Sequence, residues 1–344
     1  MQNTRFICDY KALQVILVLL FTLSPAISNA SELNVYSGRK GKLIKPLLDR
    51  FHDETGIKVN IVTAKSDALI KRIEAEGKSS PADIFITVDA GRIDRAKKMG
   101  LLKTIDTSSI KISRNYIDKD KKWVGLSKRI RTIVYSKKNI NKNDILRFED
   151  LAEDNWKGKI CVRSSNNIYN QSLVASLIAN HGEKKAEKIV KKIVNNFARK
   201  PSGNDRAQIT AISKSECDIA IVNHYYYILM LNSKEEEKRK IANQVNILFL
   251  NQNDRGAHVN ISAIGIVKYS KNTKNAHELI QFLLSKESQE WYAKVNNEYP
   301  VSENVSVTDL LNSWGELKLD DKAINKLGDL NANAVKLMDR VGWQ

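Results

Sequence analysis

Apolar positions recur along the chain in two alternating rhythms. In "ELNVYSG" (32–38) and "IKVNIVTA" (57–64) they fall at every second residue, as at Ile57, Val59 and Ile61, the period of a half-buried strand. Between these runs, "KLIKPLLDRFHDETG" (42–56) has helical spacing and stops at Gly56. "SDALIKRIEAEG" (66–77) predicts a second helix, "ADIFITVD" (82–89) a third strand and "AGRIDRAKKMG" (90–100) a third helix. Strand alternating with helix at this spacing means parallel strands joined by crossover helices, an α/β fold.

The rhythm breaks and then resumes. "RTIVYSK" (131–137), "GKICVRSS" (158–165) and "CDIAIV" (217–222) predict strands. "QSLVASLIANHG" (171–182), "EKKAEKIVKKIVNNFA" (183–198) and "RAQITAISKS" (206–215) predict helices. A long apolar stretch, "HVNISAIGIVKYS" (258–270), precedes one more helix, "AHELIQFLLSKESQEWYAKV" (276–295). Its strand near Ser262–Val267 has no partner unit of its own, and the simplest arrangement sends it back to complete the first sheet. Each lobe is then discontinuous: residues 31–130 plus 255–300 in one, 131–254 plus 301–344 in the other. Two crossings, near Lys128–Val134 and Arg255–Ile264, would act as hinges. Ligands of open α/β sheets bind beyond the carboxyl ends of strands, so a cleft between lobes is the expected site.

The first 30 residues change the compartment. Arg5 and Lys11 precede an apolar run from Val15 to Leu23, with small residues at Ser28 and Ala30, the pattern of a secretory signal peptide. Its removal takes Arg5, Lys11 and Asp9 and lowers the formal charge from +17 to +16. The lysines are scattered, so the charge does not point to a nucleic-acid partner. Cys161 and Cys217 remain, both in apolar strand-like runs, and an oxidising compartment favours a disulfide between them over two free thiols.

No catalytic pattern is present: there is no G-x-S-x-G elbow, H-E-x-x-H or G-x-G-x-x-G, and the five histidines are dispersed. The expectation is that the chain is not an enzyme. Tyrosines carry the chemistry instead. Asn223-His224-Tyr225-Tyr226-Tyr227 follows the carboxyl end of a strand, at what reads as an irregular turn, and Tyr169 stands where another strand gives way to a helix. A phenol titrates near about 10, and a trivalent cation at bonding distance displaces its proton. Three phenolates would neutralise Fe³⁺ and leave coordination positions for a small anion.

Together, "YSGR", "SPADIFITVDAGRI", "GLSKRIRTIVYSK", "CVRSSNNIYNQSLVASLI", "GNDRAQ", "VNHYYY" and "NEYPV" resemble the periplasmic ferric-iron-binding proteins of ABC transporters. The resemblance spans nearly all of the chain beyond residue 30. It implies a two-lobed type II periplasmic binding protein fold, a monomer that delivers Fe³⁺ to an inner-membrane ABC permease. Carried over, the metal ligands are Tyr169, Tyr225 and Tyr226, with Tyr227 packing into its lobe and His224 turned away. Relatives also draw a ligand from the first lobe, but here Arg39-Lys40-Gly41-Lys42 and Thr87-Val88-Asp89 supply none. Carbonate or a similar anion would fill the remaining positions, held by Arg129 and by Arg39 closing from the other lobe. Arg131, Asp89 and Arg206 are weaker candidates for the cleft, and Asp205 and Arg206 are also suited to starting a helix. The competing readings are a binding protein for an organic anion or polyamine, with the tyrosines as aromatic walls, and a secreted enzyme using the same cleft.

Overall fold

Thirteen helices and eight strands alternate through residues 31–344, the part of the chain that the computed structural model describes; the expected signal peptide, residues 1–30, lies outside the described residues. In chain order they are β1 (Glu32–Ser37), α1 (Lys45–Thr55), β2 (Lys58–Thr63), α2 (Ser66–Glu76), β3 (Ile84–Thr87), α3 (Ala90–Lys98) and β4 (Val124–Ser136). There follow β5 (Ile160–Cys161), α4 (Ile168–His181), α5 (Glu183–Asn195), α6 (Asp205–Ser213), β6 (Ile219–Asn223), α7 (His224–Leu231), α8 (Glu236–Asn243) and β7 (Val245–Leu248). The chain ends with β8 (Val259–Ile266), α9 (Thr273–Leu283), α10 (Lys286–Asn296), α11 (Asp309–Asn312), α12 (Ile324–Leu327) and α13 (Asn331–Arg340). No described helix is long and apolar enough to cross a membrane.

Local chemistry sets several boundaries. Pro46 occupies the first turn of α1, where its missing N–H costs nothing, and Gly56 closes the helix at φ 72°. The single helix expected over 276–295 is two, because the Ser285 side chain accepts from the Ser288 N–H and caps α10. Strand β4 begins earlier than its apolar run suggests, at Val124, and β5 is only two residues long.

The strands form one mixed sheet in the order β2-β1-β3-β8-β4-β6-β5, with β7 also paired to β4. β8 runs antiparallel to β3, pairing Ala263 with Thr87 and Ile266 with Ile84, so the late strand does complete the first half of the sheet. β4 is shared. Its first part, Val124 to Ile130, pairs with β8, and its second part, Arg131 to Ser136, pairs with β6 and β7. The change of partner falls between Ile130 and Arg131. Residues just before β8 keep contact with the second half, where the Arg131 N–H donates to the His258 carbonyl at 3.0 Å.

A core of Leu33, Val35, Leu47, Phe51, Ile84, Ile264 and Leu279 lies under α1 and α9, and a second of Val134, Ile209, Val222, Tyr227 and Met230 lies under α6 and α7. The Cys161 and Cys217 sulfurs are bonded within the latter, with Cα atoms 5.9 Å apart, tying β5 to the approach of β6. The last segment straddles both halves: α13 packs on α4 and α5, whereas α12 also meets α3.

Candidate metal centre

The tyrosine run does not sit in an irregular turn. β6 passes directly into α7 at His224, so Tyr225 and Tyr226 occupy the first turn of a helix. Tyr169 likewise lies in the first turn of α4, where the Asn167 side chain accepts its N–H at 3.2 Å. Two helix N-termini therefore bring phenols, and the positive ends of their dipoles, to one place. That place is a cavity of about 340 Å³, lined by Tyr169, Tyr225, Tyr226 and Arg129 and, from other elements, by Arg39, Lys40, Lys42, Val88 and Glu298.

Arg129, on β4 one residue before the change of partner, organises the phenols. Its Nη2 donates to the Tyr169 hydroxyl at 3.1 Å and also to the Tyr225 hydroxyl. Its Nη1 donates to the Val88 carbonyl, and its guanidinium lies 4.9 and 4.8 Å from the two ring centres. The Tyr225 hydroxyl also accepts from the Asn223 amide at 2.9 Å, and the Tyr225 and Tyr226 rings lie 4.5 Å apart. Burial pushes the Tyr225 phenol well above its ordinary range, against the opposing charge of Arg129. Tyr226 is raised too, by burial and then by neighbouring Tyr169. Both phenols thus hold their protons until a cation strong enough to displace them arrives.

The other expected residues divide clearly. Arg39 lines the cavity but is buried, and its Nη2 is committed to Glu298 Oε2 at 2.7 Å and to the Ser127 and Ser262 hydroxyls. Arg206 is exposed and covers the Tyr226 ring at 5.0 Å. Arg131 and Asp89 lie outside the cavity lining. Arg131 pairs with Asp205 at 3.0 Å, Asp205 also holds Arg163 at 2.7 Å, and the group braces the floor behind the tyrosines. Asp89 caps α3 through the Gly91 N–H and accepts from Ser172 at 2.9 Å and Asn260 at 2.7 Å. Asp205 is the first residue of α6, which Asn204 caps. Tyr227 turns into the core and donates to the Val245 carbonyl at 3.3 Å.

His224 is turned from the cavity and locks α7 in place. Its Nδ1 accepts from the Ile130 N–H at 3.1 Å and its Nε2 donates to the Asn297 carbonyl at 2.8 Å. Burial holds it neutral, down to about 4. Glu298 is the residue that sequence reasoning passed over, although it stands in the quoted "NEYPV". Burial pushes its carboxyl up, but Arg39 and Arg129 outweigh that and hold it below the usual range. Among the described residues no group of three or more His, Cys, Asp or Glu could hold a metal ion. Apart from the Glu298 carboxylate, which accepts from Arg39 and Ser127, the hard oxygen donors that side chains bring to this cavity are the phenols.

Known proteins share this frame. Iron uptake protein A1 of Synechocystis sp. is 41% identical over 315 residues, 91% of this chain and 88% of that protein. The major ferric iron-binding protein of Neisseria meningitidis is 27% identical across 95% of this chain and 98% of its own length. Among solved structures, FutA (IdiA) from Trichodesmium, in complex with iron and citrate, superimposes with a TM-score of 0.88 at 46% identity, covering 91% of this chain and all of that one. The ferric binding protein from Campylobacter jejuni gives a TM-score of 0.85 at 38% identity, covering 91% of this chain and 100% of that one. The fold is that of the type II periplasmic binding proteins. The family model matches residues 79–323, and the chain belongs to the bacterial extracellular solute-binding proteins.

Proposed function

We propose that this protein binds ferric iron between two lobes and hands it to an ABC permease in the inner membrane. It does so as a monomer, after export to the periplasm through residues 1–30. One observation carries the reading: the Tyr169 and Tyr225 hydroxyls share a single arginine nitrogen, with the Tyr226 ring tilted against that of Tyr225 in the same cavity. Loss of three phenol protons would give a ligand set whose charge matches Fe³⁺, and hard oxygen donors suit that ion better than softer divalent metals. The names of the relatives, iron uptake and ferric iron-binding proteins, support the same cargo.

The opposite wall offers Lys40, Lys42 and Val88, none of which ligates iron when the lysines are protonated. An anion therefore completes the coordination, with Arg129 as its donor. Carbonate fits a planar guanidinium fork. Citrate is the second reading of the anion, because it accompanies iron in the Trichodesmium structure and because exposed Lys40, Lys42 and Arg206 line this cavity.

The lobes we assign are residues 31–130 with 255–300, and 131–254 with 301–344. The division of β4 between two sets of partners supports that assignment. The function is tested by elemental analysis and visible spectroscopy of protein purified without chelator. Stoichiometric iron and a phenolate-to-iron band that a strong chelator bleaches are expected. Colourless protein that takes up no Fe³⁺, with or without carbonate or citrate, would leave the tyrosines as an aromatic wall for another solute.

A further inference from the structure

Among the described residues lining the cavity, Glu298 is the sole carboxylate, in a lining that also holds Arg39, Lys40, Lys42, Arg129 and Arg206. It is 3% exposed and held from several sides. Its Oε2 accepts from Arg39 Nη2 at 2.7 Å and from the Ser127 hydroxyl, and its Oε1 lies 3.4 Å from Arg129 Nε. The flanking backbone is pinned as well. The Asn297 carbonyl accepts from His224, and Tyr299 exchanges two backbone hydrogen bonds with Lys128, at 2.6 and 3.0 Å. Burying three charged side chains carries a desolvation cost that an apolar group of the same volume would avoid, so a carboxylate fixed this firmly between two arginines does more than fill space.

Resting on the ferric reading above, we propose that Glu298 determines which class of anion accompanies the metal, by setting the charge of the cavity floor. Three phenolates balance Fe³⁺. Arg39 and Arg129 add two positive charges, and Glu298 removes one. Among the buried charged residues that line the cavity the surplus is one positive charge, which suits a small anion of low charge. Exposed Lys40, Lys42 and Arg206 are screened by solvent and contribute less. The Arg131–Asp205–Arg163 group behind the tyrosines is common to every variant below, so it drops out of the comparison. Removing the Glu298 charge should shift preference toward a polycarboxylate, and removing the Arg39 charge should shift it the other way.

The experiment measures Fe³⁺ affinity by chelator competition, in bicarbonate and separately in citrate, for the parent, Glu298→Gln, Arg39→Gln and the double variant. The readout is the ratio of the two affinities, with the phenolate band recorded in each case. A unit charge at this range in a partly buried site shifts such a ratio on the order of tenfold. We expect Glu298→Gln to raise the citrate-to-bicarbonate ratio, Arg39→Gln to lower it, and the double variant to return it toward the parent. A merely structural ion pair predicts something else: both single variants weaken iron binding alike and the ratio stays constant. That outcome, with a parent that binds iron normally, overturns this inference alone. A parent that binds no iron with either anion overturns the ferric reading and this inference with it. Should Glu298→Gln fail to fold, the Arg39→Gln shift and the double variant still decide the sign.

Discussion

Tyr225→Phe and Tyr226→Phe each remove one hydroxyl and keep the ring, so the fold should survive. Iron affinity should fall by more than the roughly 10–100-fold that loss of an outer-shell group costs, and the visible band should shift or vanish. Tyr227→Phe removes only a donor to the Val245 carbonyl, and should cost about 1 kcal/mol of stability with no change of colour. If Tyr227→Phe bleaches the protein while Tyr225→Phe does not, the ligand assignment is displaced by a residue or more. Arg129→Ala should leave a weaker, more pH-sensitive iron complex, because the phenols remain and their organising donor does not. Since each phenol must release its proton to bind, affinity measured by chelator competition should fall as pH falls. At this scale the sequence showed the tyrosines because their spacing after a strand is unusual. It hid Glu298, because a lone glutamate has no local pattern and acquires meaning only from Arg39 and Arg129, which lie 259 and 169 residues away in the chain.

Most of the elements read from the sequence have one buried face, although α8 and α13 have such a face too and were not assigned. Elements were less legible where caps or pairing partners decide, as at the break between α9 and α10 or the early start of β4, whose flanking polar residues are buried by β8. The helix α7 was misread because its tyrosines, isoleucine and leucines are nearly apolar all round and give no helical stripe. The disulfide linking β5 to the approach of β6 closes a loop of 56 residues. In the chain-entropy account that is worth about 4 kcal/mol, so Cys161→Ser with Cys217→Ser should lower the urea midpoint markedly. Peptide mapping without reductant should find the two cysteines joined; two free thiols in protein from its native compartment would count against it. The segment before β8 makes a separate prediction. Burial, then the charges of Arg131 and Arg255, hold His258 down to about 3, whereas an unfolded histidine titrates near about 6.5. Between those values the unfolded chain binds a proton that the folded chain refuses. Stability present above pH 6.5 is therefore lost as pH falls. Glu149 extends the loss. Burial raises it, but Asn251, Arg255 and His181 prevail and hold it down to about 2, so its contribution disappears below the ordinary carboxylate range. Urea midpoints should drop from pH 7 to 4.5, less steeply in His258→Gln; parallel curves would assign the acid sensitivity elsewhere.

For the whole molecule, the place of β8 beside β3 followed from one argument, that a late strand without its own unit returns to the first sheet, whereas the sharing of β4 between two sets of partners was not foreseen. The straddling course of α12 and α13 did not, because α12 is only four residues long and the stripe of Ala334, Leu337 and Met338 on α13 shows a buried face without saying which elements it meets. If the two lobes close on their cargo, X-ray scattering with Fe³⁺ and bicarbonate should give a smaller radius of gyration than without; superimposable curves would argue against closure in solution. Arg129 stands where β4 changes partners, and the tyrosines are bonded to it. If closure pivots at that change of partner, displacement is least at Arg129 and greater at Lys40 and Lys42 across the cavity. On the proposed delivery of iron, unloading should then run in sequence: a fast, salt-sensitive escape of the anion from the lysine wall, followed by slower loss of colour as the phenolates are reprotonated. Stopped-flow mixing with a chelator at two ionic strengths separates those steps, and a single phase indifferent to salt would mean that anion and metal depart together.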